Sequence, residues 1–297
     1  VLPDDCADYT SMTESSGVLY IVATPLGNLG DISQRALDTL QNVDLIAAED
    51  TRHSGRLLQH FGIGTRMFSL HEHNEQKQSE RLLQVLGEGR SLALISDAGT
   101  PLISDPGYRV VQRARDAGFR VVPIPGPSAL IAALSVAGLP TDRFIFEGFL
   151  PAKQKARRQQ LENLVDEPRT LVFYESCHRI KSCLDDMLEI FGPERPAVIA
   201  RELTKAYEQI QSGHLCELME WLQSDPNHLR GEFVVLVHGA GQRDDVAEGL
   251  DAEALQTLKV LMDELPLKQA AKLTARRYGL PNRLVYQVGL ELRPDQA

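Results

Sequence analysis

The stretch LALISDAGTPLISDPG (92–107) decides the fold. Its first residues, Leu92-Ala93-Leu94-Ile95-Ser96, are a short apolar run of the kind that makes a buried strand. The run stops at a turn sequence, Asp97-Ala98-Gly99-Thr100-Pro101, and a second turn follows at Ser104-Asp105-Pro106-Gly107. Residues 108–117 then have helical spacing up to Gly118, and VVPIPG (121–126) reads as the next strand. Open α/β sheets bind ligands at the carboxyl ends of their strands, where a strand passes through a loop into a helix. A glycine in that loop lets backbone amides approach a ligand with no side chain between. The loop is not GxGxxG and has no Walker lysine, so the two common nucleotide loops are absent.

The same alternation extends outward. VLYIVAT (18–24), DLIAAED (44–50) and RMFSLHEH (66–73) read as strands, with helices expected over ISQRALDTLQNV, SGRLLQHFG and EQKQSERLLQVLGEG. In the last of these Leu82, Leu83 and Leu86 share one face. The order βαβαβαβαβ predicts a mostly parallel sheet. PGPSALIAALSVAG (125–138) reads as a loop leading into an apolar helix that Ser128 can cap. Strand character restarts at FIFEGFLP (144–151), which places a boundary near 138–143. A helix (156–165), TLVFY (170–174), AVIARELT (197–204), a polar segment, a helix near 217–223 and EFVVLVHG (232–239) follow, and beyond a break at 239–245 only helical patterns remain.

At 297 residues, 43% apolar and 24% charged, the composition is that of a globular enzyme. No apolar run approaches the roughly 20 residues that span a bilayer. Residues 1–16 lack a basic and apolar leader pattern and are expected to be a disordered extension. Cys6, Cys177, Cys183 and Cys216 have neither CxxC pairing nor metal-ligand spacing, which suits a reducing cytoplasm. His53, His71, His73 and His178 lack patterned carboxylate partners, so no metal site is expected. No GxSxG elbow is present.

A net charge of −10 argues against a generally basic nucleic-acid coat, but two local clusters stand out. One is Lys153, Lys155, Arg157 and Arg158 in PAKQKARRQQ. The other is Lys268, Lys272, Arg276, Arg277 and Arg283 in PLKQAAKLTARRYGLPNRLVYQVGL (266–290), a run without an acidic residue. The latter has the pattern of two short helices joined at a glycine, similar to a helix-turn-helix. Either cluster reads as a phosphate-binding face or as a solvated helix surface.

The turns PLGNLGD (25–31), EDTRH (49–53), SDAGTP (96–101) and PGPSA (125–129) all follow strands. In a parallel sheet they emerge on one side and converge. YESCHR (174–179) and RELTK (201–205) do the same in the second half. With VATPLGNLGD, AAEDTR, SDAGTPLISDPG, PGPSA, FEGFLP, FYESCHR and ARELTK in this order, the chain resembles the tetrapyrrole-methylase-like (class III) methyltransferases over roughly residues 17–290. It is most similar to their branch acting on small-subunit ribosomal RNA. Tetrapyrrole-acting branches carry a GxGPG-type first loop, whereas here it is Ala23-Thr24-Pro25-Leu26-Gly27.

The resemblance implies an α/β fold with two α/β domains. The first (17–140) has a mostly parallel sheet, the second (141–241) a mixed one, and a cofactor cleft lies between them. A small basic helical module (246–297) follows. It further implies a cytoplasmic homodimer that uses S-adenosylmethionine to 2′-O-methylate a cytidine in the decoding region of 16S rRNA on the small ribosomal subunit. Cofactor contacts carried over are Pro25, Asp97, Ala98, Gly99, Ile103, Ser128 and Ala129, with Phe173, Tyr174, Gly231, Glu232 and Phe233 from the second domain. A ribose hydroxyl is a poor nucleophile, so a base or cation should assist it. Candidates are Glu49, Asp50, Glu175 and Lys205, with Arg52 and Arg179 as clamps. A plain ion pair of Glu49 or Glu175 with Arg52 or Arg179 across the cleft is the competing reading. RNA contacts are expected at Lys153, Lys155, Arg157, Arg158, Lys268, Arg276 and Arg277. A small-molecule methylase of the corrin kind and a non-catalytic ribosome-binding protein are the other two functional readings.

Overall fold

The computed structural model describes residues 17–71, 74–240, 250 and 252–292. The expected disordered extension, 1–16, lies outside them, as does His73. The described residues fall into two compact units that meet in sequence at Gly239 and Ala240. The expected boundary near 138–143 separates two sheets within the first unit.

The first sheet contains β1 (Val18–Val22), β2 (Leu45–Ala48), β3 (Met67–Ser69), β4 (Leu92–Ile95) and β5 (Arg120–Ile124). Its order is β3-β2-β4-β1-β5 and every pairing is parallel. Alternate residues of the central strands feed opposite faces, as the two-residue period requires. Leu19, Ala47, Leu92 and Leu94 pack on α3 (Glu75–Gly87) and α4 (Tyr108–Asp116). Val22, Ile46, Ala93 and Ile95 pack on α1 (Gln34–Asn42) and α2 (Thr51–His60). In α3 Leu82 and Leu86 are buried and Leu83 is half-buried. The strand order reverses between β4 and β1, the switch point where such sheets open a crevice.

α5 (Ala129–Val136) leads into the second sheet, made of β6 (Phe144–Phe149), β7 (Thr170–Ser176), β8 (Pro196–Arg201), β9 (Gln209–His214) and β10 (Glu232–Val237). The order is β6-β7-β10-β8-β9, with β6 parallel to β7 and the other pairs antiparallel. β9 replaces the expected polar segment. Its sequence, QIQSGH, has one aliphatic residue because it is an edge strand with only partly buried positions. One face of this sheet is covered by α6 (Gln154–Glu162), α7 (Ile180–Phe191) and α8 (Leu215–Ser224). The other carries Val172, Tyr174, Val198, Ala200, Val234 and Leu236 against α5.

The second unit comprises α9 (Ala252–Glu264), α10 (Leu267–Tyr278) and α11 (Asn282–Glu291) around Leu258, Ala270, Ala271, Ala275 and Val285. Gly279, at φ +67°, supplies the left-handed cap that ends α10. Among the described residues no helix is long and apolar enough to cross a membrane.

Candidate active site: a carboxylate-lined cavity between two sheets

A cavity of about 340 Å³ opens where the strand ends of the two sheets face each other, within the usual size range of small-molecule sites. Its first-sheet wall is built at the switch point. Thr24, after β1, and Gly99, after β4, exchange backbone hydrogen bonds of 2.9 and 3.0 Å. The Thr24 hydroxyl also donates to the Ser96 carbonyl at 3.2 Å. Gly99 has φ +81°, and a Cβ there would come within 3.1 Å of Leu26, so the turn is restricted to glycine. Asp97, Ala98, Gly99, Thr100 and Ile103 line the cavity together with Leu26. Thr100 Oγ1 donates to the Pro127 carbonyl at 2.9 Å, tying this loop to the one that brings Ser128 and Ala129 to the wall. The backbone N–H of Asp50 donates to Asp97 Oδ1 at 3.0 Å and holds the β2 turn beside it.

After Gly99 the chain makes further left-handed turns at Leu102 (φ +73°) and Ser104 (φ +68°), unusual for side-chain-bearing residues. They return Ser104 and Asp105 to the cavity wall. Burial, reinforced by the nearby charge of Asp97, pushes the Asp105 carboxyl up to about 6 against the opposing hydrogen bond from Ser96. Gly148 (φ +64°) lies at a register shift in β6, and a side chain there would meet the Ser104 hydroxyl at 3.0 Å. The loop and the bulge therefore pack directly on each other.

The second-sheet wall comprises Phe149, Tyr174, Glu175, Ser176, Ala200, Leu203, Glu232, Phe233 and Val234. The Tyr174 hydroxyl accepts from the Leu130 backbone N–H at 3.0 Å, while burial raises its pKa. It thus takes the capping role expected of Ser128, which sits at the N-cap of α5 without a capping side-chain bond. Phe173 corrects the sequence reading. One residue from Tyr174, it points to the opposite face and is fully buried in the core under α7. Phe233 lines the cavity although it belongs to that same core. Pro25 is buried and Gly231 is half-buried, and neither lines the cavity. Gly231 (φ +97°) makes room for Glu202, which a Cβ would approach to 2.5 Å.

The proposed chemical groups separate into distinct environments. Glu49 lines the cavity. Asp50 caps α2, accepting from the Arg52 N–H at 2.8 Å and from its guanidinium at 2.7 Å. Arg52 holds the Asp50 carboxyl well below the usual carboxylate range while keeping its own side chain 89% exposed. Glu175 also lines the cavity. Its side chain is buried, and Oε1 accepts from the Ser176 N–H at 2.8 Å and pairs with Arg179 at 2.8 Å, so that oxygen is committed to a structural pair. The expected pairing across the cleft is instead local to one helix start, and Arg179 also donates to the Leu150 carbonyl at 3.0 Å. Lys205 pairs with Glu202 at 2.9 Å and Glu232 at 2.7 Å, and its stem lies over Gly27, where a Cβ would come within 2.2 Å. Among the described residues no cluster of side chains could hold a metal ion.

The basic clusters also divide. Lys153 and Lys155 are exposed at the start of α6. Arg157 is not available to RNA: it is 3% exposed, and its Nε donates to Asp186 at 2.7 Å. Helix periodicity turns it inward, and a buried arginine requires such a partner. Arg158 is half-buried and engages Glu189 through both terminal nitrogens. In α10, Lys268, Lys272, Arg276 and Arg277 are all exposed, as is Arg283 in α11. Cavity residues missing from the sequence reading are Leu26, Thr100, Ser104, Asp105, Phe149, Ser176, Ala200, Leu203 and Val234. Most flank residues that it named.

Comparison with known proteins places the chain in a family. Residues 18–219 match the family of Tetrapyrrole (Corrin/Porphyrin) Methylases, and residues 248–293 match the RsmI C-terminal HTH domain. The ribosomal RNA small subunit methyltransferase I of Escherichia coli O157:H7 is 55% identical over 283 residues, 95% of this chain and 98% of that one. The protein of the same name from Pseudomonas aeruginosa is 57% identical over 277 residues, 93% and 98% of the two chains. Among solved structures, the methyltransferase CobJ aligns with TM-score 0.57 at 20% identity, covering 76% of this chain and 95% of that one. Diphthine synthase aligns with TM-score 0.56 at 18% identity, covering 75% and 90%. These structural likenesses establish the fold. The sequence relationships go further, and the chain belongs to the tetrapyrrole (corrin/porphyrin) methylases and, within them, to the ribosomal RNA small subunit methyltransferase I family.

Proposed function

We propose that this enzyme transfers a methyl group from S-adenosylmethionine to small-subunit ribosomal RNA, at the ribose 2′-hydroxyl of a cytidine in the decoding region of 16S rRNA. The observation that carries the donor assignment is the cavity wall. Glu49, Asp97, Asp105, Glu175 and Glu232 line it, and among the described residues no lysine, arginine or histidine does. Such a wall suits a ligand with net positive charge. When bound, the cofactor supplies a methyl group on a positively charged sulfur.

The chain's own residues align the partners, which is the main requirement of an in-line displacement. Asp97, Ala98, Gly99, Ile103, Ser128 and Ala129 hold one end of the donor. Tyr174 and Phe149 offer ring surface at the other. Glu49, in the cavity wall, takes the hydroxyl proton, whereas Glu175 in the same wall is paired with Arg179. Arg52, extended from α2, is available to a backbone phosphate. Lys153 and Lys155 occupy a helix N-terminus, where the macrodipole disfavours cations and favours anions. With Lys268, Lys272, Arg276 and Arg277 they form the expected phosphate contacts. The ribosomal substrate implies a cytoplasmic protein, and the family resemblance a homodimer.

The test is transfer of labelled methyl from S-adenosylmethionine to small subunits lacking the modification, followed by nucleoside mass spectrometry. Appearance of 2′-O-methylcytidine is expected. Donor binding without transfer to subunits or rRNA would redirect the assignment to a small-molecule acceptor, and absence of binding to a non-catalytic role.

A further inference from the structure

Asp105 belongs to the acidic wall of the cavity but has no individual role in the chemistry above. It lies beyond the switch-point loop, returned to the wall by the left-handed Leu102 and Ser104. The titratable groups sharing its surroundings are Asp97 on its own loop, Tyr174 and Glu175 from β7, Glu49 after β2 and Glu232 on β10. None of these is a cation. Lys205, the nearest amine to Glu232, is taken by that residue and Glu202. The Ser96 side chain hydrogen-bonds the carboxyl. A carboxyl in this setting ionises reluctantly unless a positive charge arrives from outside.

We propose that Asp105 is a specificity-determining residue that reads the positive charge of the methyl donor, becoming ionised as the donor enters and losing its proton to solvent. This rests on the donor assignment made above. The carboxyl's apparent value of about 6 in the free protein sets the working range. Below it, entry of the cation requires release of a proton, so affinity depends on pH. Above it, the carboxylate is already formed and the dependence vanishes. Proton balance is complete with buffer as acceptor, and no bond other than O–H is broken. The positive charge can be the sulfonium or the amino-acid ammonium, and suitable ligands separate them.

Calorimetric titrations between pH 5 and 8, in buffers of different ionisation heat, test the proposal with three ligands. S-adenosylmethionine carries both charges, S-adenosylhomocysteine only the ammonium, and 5′-methylthioadenosine neither. For S-adenosylmethionine the affinity should fall about tenfold per pH unit below about 6, with up to one proton released per ligand bound. Methylthioadenosine should bind with no such slope. A slope shared by S-adenosylhomocysteine assigns the ammonium, and its absence there assigns the sulfonium. Asp105→Asn should abolish the slope and weaken S-adenosylmethionine more than methylthioadenosine. The proposal is overturned by a wild-type affinity independent of pH, by a slope that survives in Asp105→Asn, or by an equal slope for methylthioadenosine. If the variant does not fold, the wild-type comparison of the three ligands decides alone. Failure of S-adenosylmethionine to bind at any pH would instead overturn the donor assignment.

Discussion

A half-buried acid beside another acid costs stability in the empty protein. The Asp105 carboxyl moves from 3.8 to about 6 on folding, so the folded state holds its proton more tightly across that window. Stability from this group is therefore greatest at low pH, falls as pH rises between those values, and stays reduced above. A shift of this size corresponds to at most about 3 kcal/mol, and solvent screening of the partly exposed carboxyl brings the deficit to about 1 kcal/mol. Asp105→Asn should raise the melting temperature at pH 7.5 and leave it nearly unchanged at pH 4, as differential scanning calorimetry can establish. Arg52 makes the opposite case, being exposed and outside the cavity lining. Arg52→Ala should cut methyl transfer at least tenfold while leaving donor affinity intact, as turnover and calorimetry read together. At this scale the sequence was informative about loops and uninformative about pairing. The stretch 92–107 contained Asp105 in plain view, yet its importance depends on Tyr174 and Asp97 meeting it in space. Arg157 read as a surface charge because Asp186, its partner, is 29 residues away along the chain.

The elements that shape the site are capped and pinned by residues from elsewhere in the chain. α5 begins at Ser128, but Tyr174 from β7 satisfies its Leu130 N–H. Tyr174→Phe should destabilise the protein by about 1 kcal/mol and leave the ring surface of the cavity in place. Chemical denaturation would measure this. α4 has a glycine at its N-cap, and Glu75 from α3 accepts from the N–H groups of Gly107 and Arg109 at 3.2 and 3.0 Å. α6 is pinned to α7 by Arg157 and Asp186. Asp186→Ala would leave the arginine charge buried without its partner and should cost about 3–5 kcal/mol. A denaturation midpoint close to wild type would show that water reaches this pair. The strands of the first sheet were legible because buried parallel strands are continuous apolar runs. β9 was not, because an edge strand needs little apolar surface. Phe173 and Tyr174 were grouped together, although the two-residue period places neighbours on opposite faces.

For the whole molecule, charge is distributed in regions of opposite sign. A protein of net charge −10 has an acidic cavity, two exposed lysines at the start of α6 and a run of exposed cations on α10. Neutralising Lys268, Lys272, Arg276 and Arg277 together should weaken RNA binding and flatten its salt dependence by up to about 3 in log–log slope. Filter binding across a salt series checks this, and an unchanged slope would assign these residues to an ordinary helix surface. The helical character of this unit was readable from spacing alone, whereas its charge display required knowing which residues α10 buries. The second sheet has a longer-range consequence. Tyr174 and Val234 line the cavity, while Leu171, Phe173 and Val235 on the same strands build the interior under α7. Because the strand period sends neighbours to opposite faces, a change at Tyr174 or Val234 meets the ligand and α5 and spares the packing under α7. A lineage can therefore drift toward a new donor pose or acceptor while its foldability is conserved, which gives this architecture a physical basis for diversification.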